Sequence, residues 1–130
     1  MAVGKTRWGI APDDWNAAVV EIRAILVARA RARETITYSD LCAEVTAVHL
    51  WPRNPALFKM LEQIDVCSDA SDGVMLAAIV RHKGGDRMRG NLFFRTAERL
   101  GRDVSDRRAF YDSEVERVFE HYAEAAGGSK

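Results

Sequence analysis

The sequence feature that most constrains the fold is an apolar run at residues 74–80, which leads directly into a glycine-rich segment. A short apolar run between turn-forming residues is typical of a buried strand. Residues 84–86 then turn the chain, and residues 87–90 are expected to return as a second strand. We therefore predict a β-hairpin over residues 74–90.

The sequence before this run predicts three helices. Helical periodicity predicts the first over residues 12–33, where one apolar stripe consists of Trp15, Val19, Ile22 and Leu26. Thr37 and Asp40 fit a capping box, which predicts a short helix that ends near Thr46. An Asn-Pro pair then begins a third helix, residues 55–67, because Asn caps helices and Pro suits their first position.

Two further helices are expected after the hairpin. One begins at Gly90 or Asn91, and a long last helix begins at Ser105. The last helix has an apolar stripe formed by Tyr111, Val115, Val118 and Tyr122. Five acidic residues lie between positions 112 and 124 with Arg117 as the only cation. We therefore expect an acidic outer face on this helix.

The order of helix, short helix, helix and hairpin is that of a winged helix. We predict an α+β fold, a helix-rich single domain over residues 1–130 with a winged-helix-like middle and a long C-terminal helix. In this arrangement residues 37–46 begin the helix-turn-helix, residues 55–67 are the candidate recognition helix, and residues 74–90 form the wing. Residues 126–130 are expected to be a disordered tail.

Composition narrows the class of protein. Nineteen cations balance nineteen acids, which argues against a nucleic-acid binder that is basic throughout. Cys42 and Cys67 form no CxxC pair, and His49, His82 and His121 have no metal-ligand spacing. We therefore expect no metal site, no cofactor and no disulfide. The sequence shows no signal segment and no apolar stretch of membrane-spanning length, so we predict a cytoplasmic protein without a membrane partner.

Residues 81–89 carry four cations against the single acid Asp86, a formal charge of +3 on a chain that is neutral overall. Such a local cationic segment is a candidate contact for phosphate groups. Arg53 and Asn54, at the start of helix 55–67, are placed to reach a phosphate or a base edge. The candidate nucleic-acid-binding residues are Arg81, Lys83, Arg87, Arg89, Arg53 and Asn54. Helix 55–67 itself presents one cation against two acids, which is a poor face for a DNA groove.

These observations favour a non-catalytic module that binds DNA or RNA through a basic hairpin. The first alternative is a protein-interaction module, such as a phage- or host-encoded modulator of a host protein, because a basic tip and an acidic last helix polarise the molecule. The second alternative is a hydrolase or nuclease-like enzyme that uses His82 and Asp86 as acid or base. The sequence contains no motif that names a reaction, and it does not predict the oligomeric state.

The stretch Thr37-Tyr38-Ser39-Asp40-Leu41, followed by the expected hairpin, resembles the winged-helix half of alkylguanine transferases and alkyltransferase-like proteins. The transferases carry a reactive cysteine in a Pro-Cys-His-Arg motif, and residues 75–80 here contain neither Cys, Pro nor His. The resemblance therefore implies a winged-helix architecture and does not support alkyl transfer.

A second resemblance, over residues 36–122, is to small uncharacterised bacterial and phage proteins. These proteins share a Thr-Tyr-x-x-Leu start, a strand that ends in Val-x-x-Lys, and a Met-Pro-Gly-x-Gly-Phe-Phe-like turn into a helix. The matching segments here are residues 37–41, 80–83 and 88–94. Arg89 stands where those proteins have Pro, and Leu92 stands where they have Gly. The resemblance implies no established activity.

Overall fold

The structure is a computed structural model that describes residues 8–83 and 90–128. Its described part is helix-rich, and the expected α+β class is confirmed. The α-helices are α1 (Pro12–Arg31), α2 (Tyr38–Glu44), α3 (Pro55–Asp72), α4 (Asn91–Arg99) and α5 (Arg107–Gly128). The strands are β1 (Ile36–Thr37) and β2 (Val80–Arg81), and a 3₁₀ helix (Leu76–Ile79) precedes β2. The tail expected at residues 126–130 overlaps the end of α5, and its last two residues lie outside the described part.

The helix starts follow from local capping chemistry. Thr37 Oγ1 accepts a hydrogen bond from the Asp40 amide at 3.1 Å and caps α2. Asn54 Oδ1 accepts from the Ala56 amide at 2.9 Å and caps α3. Both caps were predicted correctly because a cap depends only on residues within one helical turn.

Helix α3 extends to Asp72 rather than to the expected end at residue 67. Gly73 then ends it in the left-handed conformation, with φ +75°, which glycine adopts without steric cost. Ser68 continues the buried side of α3. The added turns place this buried side against the 3₁₀ helix.

The prediction of a strand over residues 74–80 is wrong for most of this run. All seven residues are buried, as predicted. However, Leu76–Ile79 is a 3₁₀ helix, and only Val80 of this run lies in a strand. An apolar run of this length indicates burial and does not by itself distinguish a strand from a helical segment.

Buried side chains supply the acceptors that a neighbouring strand would otherwise provide. The bonds run from the Met75 amide to Glu114 Oε2 at 2.8 Å, from the Leu76 amide to Ser68 Oγ at 3.0 Å, and from the Ala77 amide to Asp65 Oδ1 at 2.8 Å. Because a buried amide without an acceptor is costly, these three side chains stabilise the 3₁₀ helix at the centre of the core. Helices α1, α3 and α5 pack around it.

The two strands pair in parallel, Ile36 with Val80 and Thr37 with Arg81. A wing is an antiparallel hairpin, and residues 84–89 of the expected hairpin lie outside the described residues. The winged-helix arrangement is therefore not confirmed.

The candidate recognition helix is packed between other helices. Trp15 Nε1 on α1 donates a hydrogen bond to Gln63 Oε1 of α3 at 3.0 Å. Glu62 of α3 forms ion pairs with Arg99 of α4 and, at 2.7 Å, with Lys59. Polar side chains that were expected to face a DNA groove are therefore engaged within the fold.

The acidic outer face expected on α5 is smaller than predicted. Glu114, one of its five acids, is only 1% exposed because its carboxylate accepts the Met75 amide inside the core. Glu116 forms an ion pair with Arg33 at 3.0 Å. These contacts weaken the argument that α5 presents a free acidic surface to a protein partner.

Candidate nucleic-acid interface at an aromatic pocket

A half-open pocket of about 130 Å³ lies where α2, α3, β2 and α4 meet. Its walls include the rings of Tyr38, Phe58, His82 and Phe93, and residues 90–92 complete the lining. Tyr38 and Phe93 are buried, whereas His82 is exposed. The pocket is therefore an aromatic depression whose exposed lining residues are His82, Gly90 and Asn91.

The rings contact one another in a fixed order. The centroids of Tyr38 and His82 lie 4.8 Å apart at an interplanar angle of 35°. Phe58 meets Tyr38 edge to face, with centroids 6.0 Å apart. Because Tyr38 is held inside the fold, it gives the exposed His82 ring a rigid support.

The amino-terminal ends of three helices line this pocket, and the amino-terminal end of a fourth is bonded to one of its residues. Tyr38 is the first residue of α2, Phe58 lies in the first turn of α3, and Asn91 is the first residue of α4. Arg107, the first residue of α5, donates a hydrogen bond from Nη1 to Asn91 Oδ1 at 2.7 Å. The partial positive charges of helix amino termini therefore add to the side-chain charges at this end of the molecule.

The sequence-predicted cations divide between described and undescribed positions. Arg81 is half-buried, and its Nε donates to Thr35 Oγ1 at 2.8 Å. Lys83, two residues further along the chain, is exposed and follows the pocket residue His82 directly. Arg87 and Arg89 lie outside the described residues.

The two residues predicted at the start of α3 have different environments. Arg53 is exposed. Asn54 is 4% exposed, and its carbonyl oxygen is occupied by the cap of α3. This burial argues against Asn54 as a contact for nucleic acid, because its side-chain oxygen serves the helix and is shielded from solvent.

Three cations that precede α3, follow β2 or begin α5 have no acid partner among the described residues. Arg53, Lys83 and Arg107 form no ion pair with an acid in the described part of the chain. Arg107 instead lies over the Phe94 ring, 4.8 Å from its centroid. Elsewhere in the described part several arginines are paired with acids, as in the pairs Arg29–Glu44 and Arg102–Asp69, both at 2.7 Å. Arg31 and Arg95 form no such pair there.

Acidic residues at this end offset part of the charge. Asp40 is exposed in the first turn of α2. Asp106 Oδ1 accepts from the Ala109 amide at 3.1 Å and so serves the start of α5. Both signs of charge are therefore present here: the three cations lack an acid partner among the described residues, Asp106 is engaged with backbone, and Asp40 is exposed.

Sequence reasoning missed Arg107 and the pocket rings of Phe58 and Phe93. The last helix was predicted to begin at Ser105 and begins at Arg107, so the sequence already placed Arg107 in the first turn of a helix. The sequence did not indicate that this turn lies beside Asn91, because the contact between Arg107 and Asn91 depends on how α4 and α5 pack together.

The enzyme alternative needs a carboxylate beside His82, and the described residues supply none. No carboxylate among the described residues hydrogen-bonds to His82, whose ring packs on Tyr38. Asp86, the other residue of that alternative, lies outside the described residues. Within residues 8–83 and 90–128 there is no group of three or more His, Cys, Asp or Glu residues arranged to hold a metal ion. Likewise, no helix in this described part is both long and apolar enough to cross a membrane.

Comparison with known proteins finds no significant match to a protein family, a curated protein or a solved structure. The resemblances to alkyltransferase-like proteins and to the small bacterial and phage proteins therefore stay predictions.

Proposed function

We propose that this protein is a non-catalytic nucleic-acid-binding module that contacts phosphates through the cations Arg53, Lys83 and Arg107. The observation that carries the proposal is the absence of acid partners for these three side chains among the described residues. Cations without an acid partner can neutralise phosphates without breaking an ion pair.

The sequence around Lys83 supplies further cations. Arg81 ends the strand that precedes Lys83, and Arg87 and Arg89 belong to the same cationic segment of the sequence. In this proposal residues 81–89 act as the wing of a winged-helix-like domain. The ion pairs and the buried side of α3 argue against a groove-reading role for that helix. We therefore expect binding that depends on phosphates and discriminates weakly between base sequences.

Salt-dependent binding tests this proposal. We would measure fluorescence polarisation of labelled single-stranded and duplex DNA over a salt series, for the wild type and for Arg53→Ala/Lys83→Ala. Loss of two phosphate contacts should weaken binding at low salt by roughly tenfold or more and lower the slope of log K against log salt by about two. A second pair, Arg87→Ala/Arg89→Ala, measures the contribution of the residues outside the described part.

The matched control is Ala17→Glu/Ala24→Glu, on the exposed face of α1, which changes the net charge by the same amount as Arg53→Ala/Lys83→Ala. It should leave the salt slope unchanged. Absence of binding at low salt would contradict the proposal and favour the protein-interaction alternative. Equal losses in the control and in the Arg53/Lys83 variant would show that net charge alone matters.

We also propose that the protein acts in the cytoplasm. Its two cysteines are free thiols, and Cys67 is exposed. Exposed free thiols are typical of reducing compartments. Burial raises the pKa of the Cys42 thiol, which keeps that thiol protonated and unreactive.

A further inference from the structure

We propose that the aromatic pocket binds one unstacked base of a single-stranded nucleic acid, with the ring of His82 as its stacking surface. This inference rests on the proposed function and makes it more specific, because it names the form of nucleic acid that is preferred. It is carried by three observations: the exposure and support of the His82 ring, the aromatic lining of the pocket, and the cations beside it.

The exposed ring of His82 provides the stacking surface. His82 is exposed, and its ring lies 4.8 Å from the buried Tyr38 ring. One side of His82 is therefore supported by Tyr38 while the side chain remains accessible to a ligand. Base–aromatic stacking of this kind accepts any base, since every base presents a flat π-face.

The pocket that His82 lines has the size and lining for a planar group. It has a volume of about 130 Å³, is open on one side, and is lined by Phe58, Phe93 and Leu92 in addition to Tyr38 and His82. A planar, apolar-faced group suits these walls. The exposed Asn91 at the same pocket uses its Oδ1 for Arg107, so the amide nitrogen of that side chain is left as a donor for a polar base edge.

The third observation is charge complementarity. Lys83 follows His82 in the chain, and Arg107 is bonded to the pocket residue Asn91. Neither cation has an acid partner among the described residues. A base that enters the pocket would thus bring its own phosphates next to these cations. An uncharged aromatic ligand has no phosphate with which to bind them.

A duplex should bind less well than a single strand. In a duplex each base is stacked and paired, and extruding one costs a few kcal/mol. A single strand offers unstacked bases without that cost. The same cations can still contact duplex phosphates, so weak duplex binding is expected to remain.

The test compares strands and variants in one polarisation assay. A labelled single-stranded DNA and its RNA counterpart are measured beside the duplex and beside a DNA strand with abasic sites. We expect the intact single strands to bind roughly tenfold or more tighter than the duplex and the abasic strand. His82→Ala should weaken single-strand binding by roughly 5- to 100-fold, the range for removing one base–aromatic stack. Duplex binding should change little. His82→Phe should bind single strands about as tightly as the wild type, because it keeps an aromatic ring at this position.

The matched control is His49→Ala. His49 is another exposed histidine beside an aromatic ring, 5.8 Å from Trp51, and it does not line the pocket. This variant should bind like the wild type. If the abasic strand binds as tightly as the intact strand, or if His82→Ala lowers single-strand and duplex binding alike, the base pocket is wrong and the phosphate-binding function stands. If no nucleic acid binds at low salt, the proposed function fails and the base pocket fails with it.

Discussion

Glu114 is a buried carboxylate whose two oxygens join separate parts of the chain. Its Oε2 accepts the Met75 amide at 2.8 Å. Its Oε1 accepts from Arg117 Nη1 at 2.8 Å and forms an ion pair with Arg102 Nε at 3.5 Å. In the sequence it is one acid among five on α5, and helical spacing alone assigned it to a solvated face. Its burial follows from the position of the 3₁₀ helix beside α5, a contact that the sequence does not display.

Removal of this carboxylate should be costly. Glu114→Ala leaves a buried amide without its acceptor and two guanidinium groups without a shared partner, so we expect a loss of about 3–5 kcal/mol in the free energy of unfolding. Glu114→Gln retains an acceptor for Met75 and should lose less. Urea unfolding monitored by circular dichroism measures both. Glu116→Ala, at an exposed ion pair with Arg33, is the control and should cost no more than about 1 kcal/mol. Equal losses at positions 114 and 116 would contradict the structural role of Glu114.

At the scale of elements, α3 and α4 are tied together by Glu62. Lys59 donates to this carboxylate at 2.7 Å, and Arg99 reaches it from α4. The hydrogen bond from Lys59 lowers the pKa of Glu62, and the charges of Lys59 and Arg99 act in the same direction against partial burial. The helix bounds around this contact were largely predictable because caps and periodicity are local. The pairing of α3 with α4 was not predictable, since it depends on how the intervening chain folds back.

The lowered pKa gives the α3–α4 contact a defined pH dependence. Because the folded-state pKa lies below the unfolded value, the stabilisation is fully present above the unfolded pKa of about 4.3 and is lost as pH falls through the folded pKa. We expect Glu62→Gln to destabilise the protein by about 1 kcal/mol at pH 7 and to have little effect below the folded pKa of Glu62. Thermal unfolding of both proteins over a pH series checks this. A difference in stability that is the same at every pH would refute the assignment.

At the scale of the whole molecule, a buried central segment connects the helices. The 3₁₀ helix Leu76–Ile79 is fully buried and packs against α1, α3 and α5. Its amides and that of Met75 take acceptors from α3 and α5, so these bonds cannot open while both helices remain in place. The stability of the segment is therefore that of the assembled core.

Hydrogen exchange should report this dependence. We expect the amides of Met75, Leu76 and Ala77 to exchange only through global unfolding, with a free energy equal to that from denaturant titration. The first-turn amides of Asp13 and Asp14 in α1 should exchange much faster, because the first amides of a helix lack acceptors within it. NMR-detected exchange distinguishes the two groups. Exchange of the Ala77 amide through a local opening would contradict a central role for the segment.

The sequence by itself determined the helices, their caps, the burial of residues 74–80 and the cationic character of residues 81–89. Each of these depends on neighbours along the chain, namely side-chain periodicity, a capping oxygen or a local count of charges. Only the tertiary structure decided that the apolar run forms a 3₁₀ helix, that Asp65 and Glu114 lie inside the core, and that Arg107 lies beside the pocket that contains His82. The physical reason is the same in each case: a buried polar group or a cation takes its role from a partner that is distant in sequence, and that partner is present only once the helices have packed.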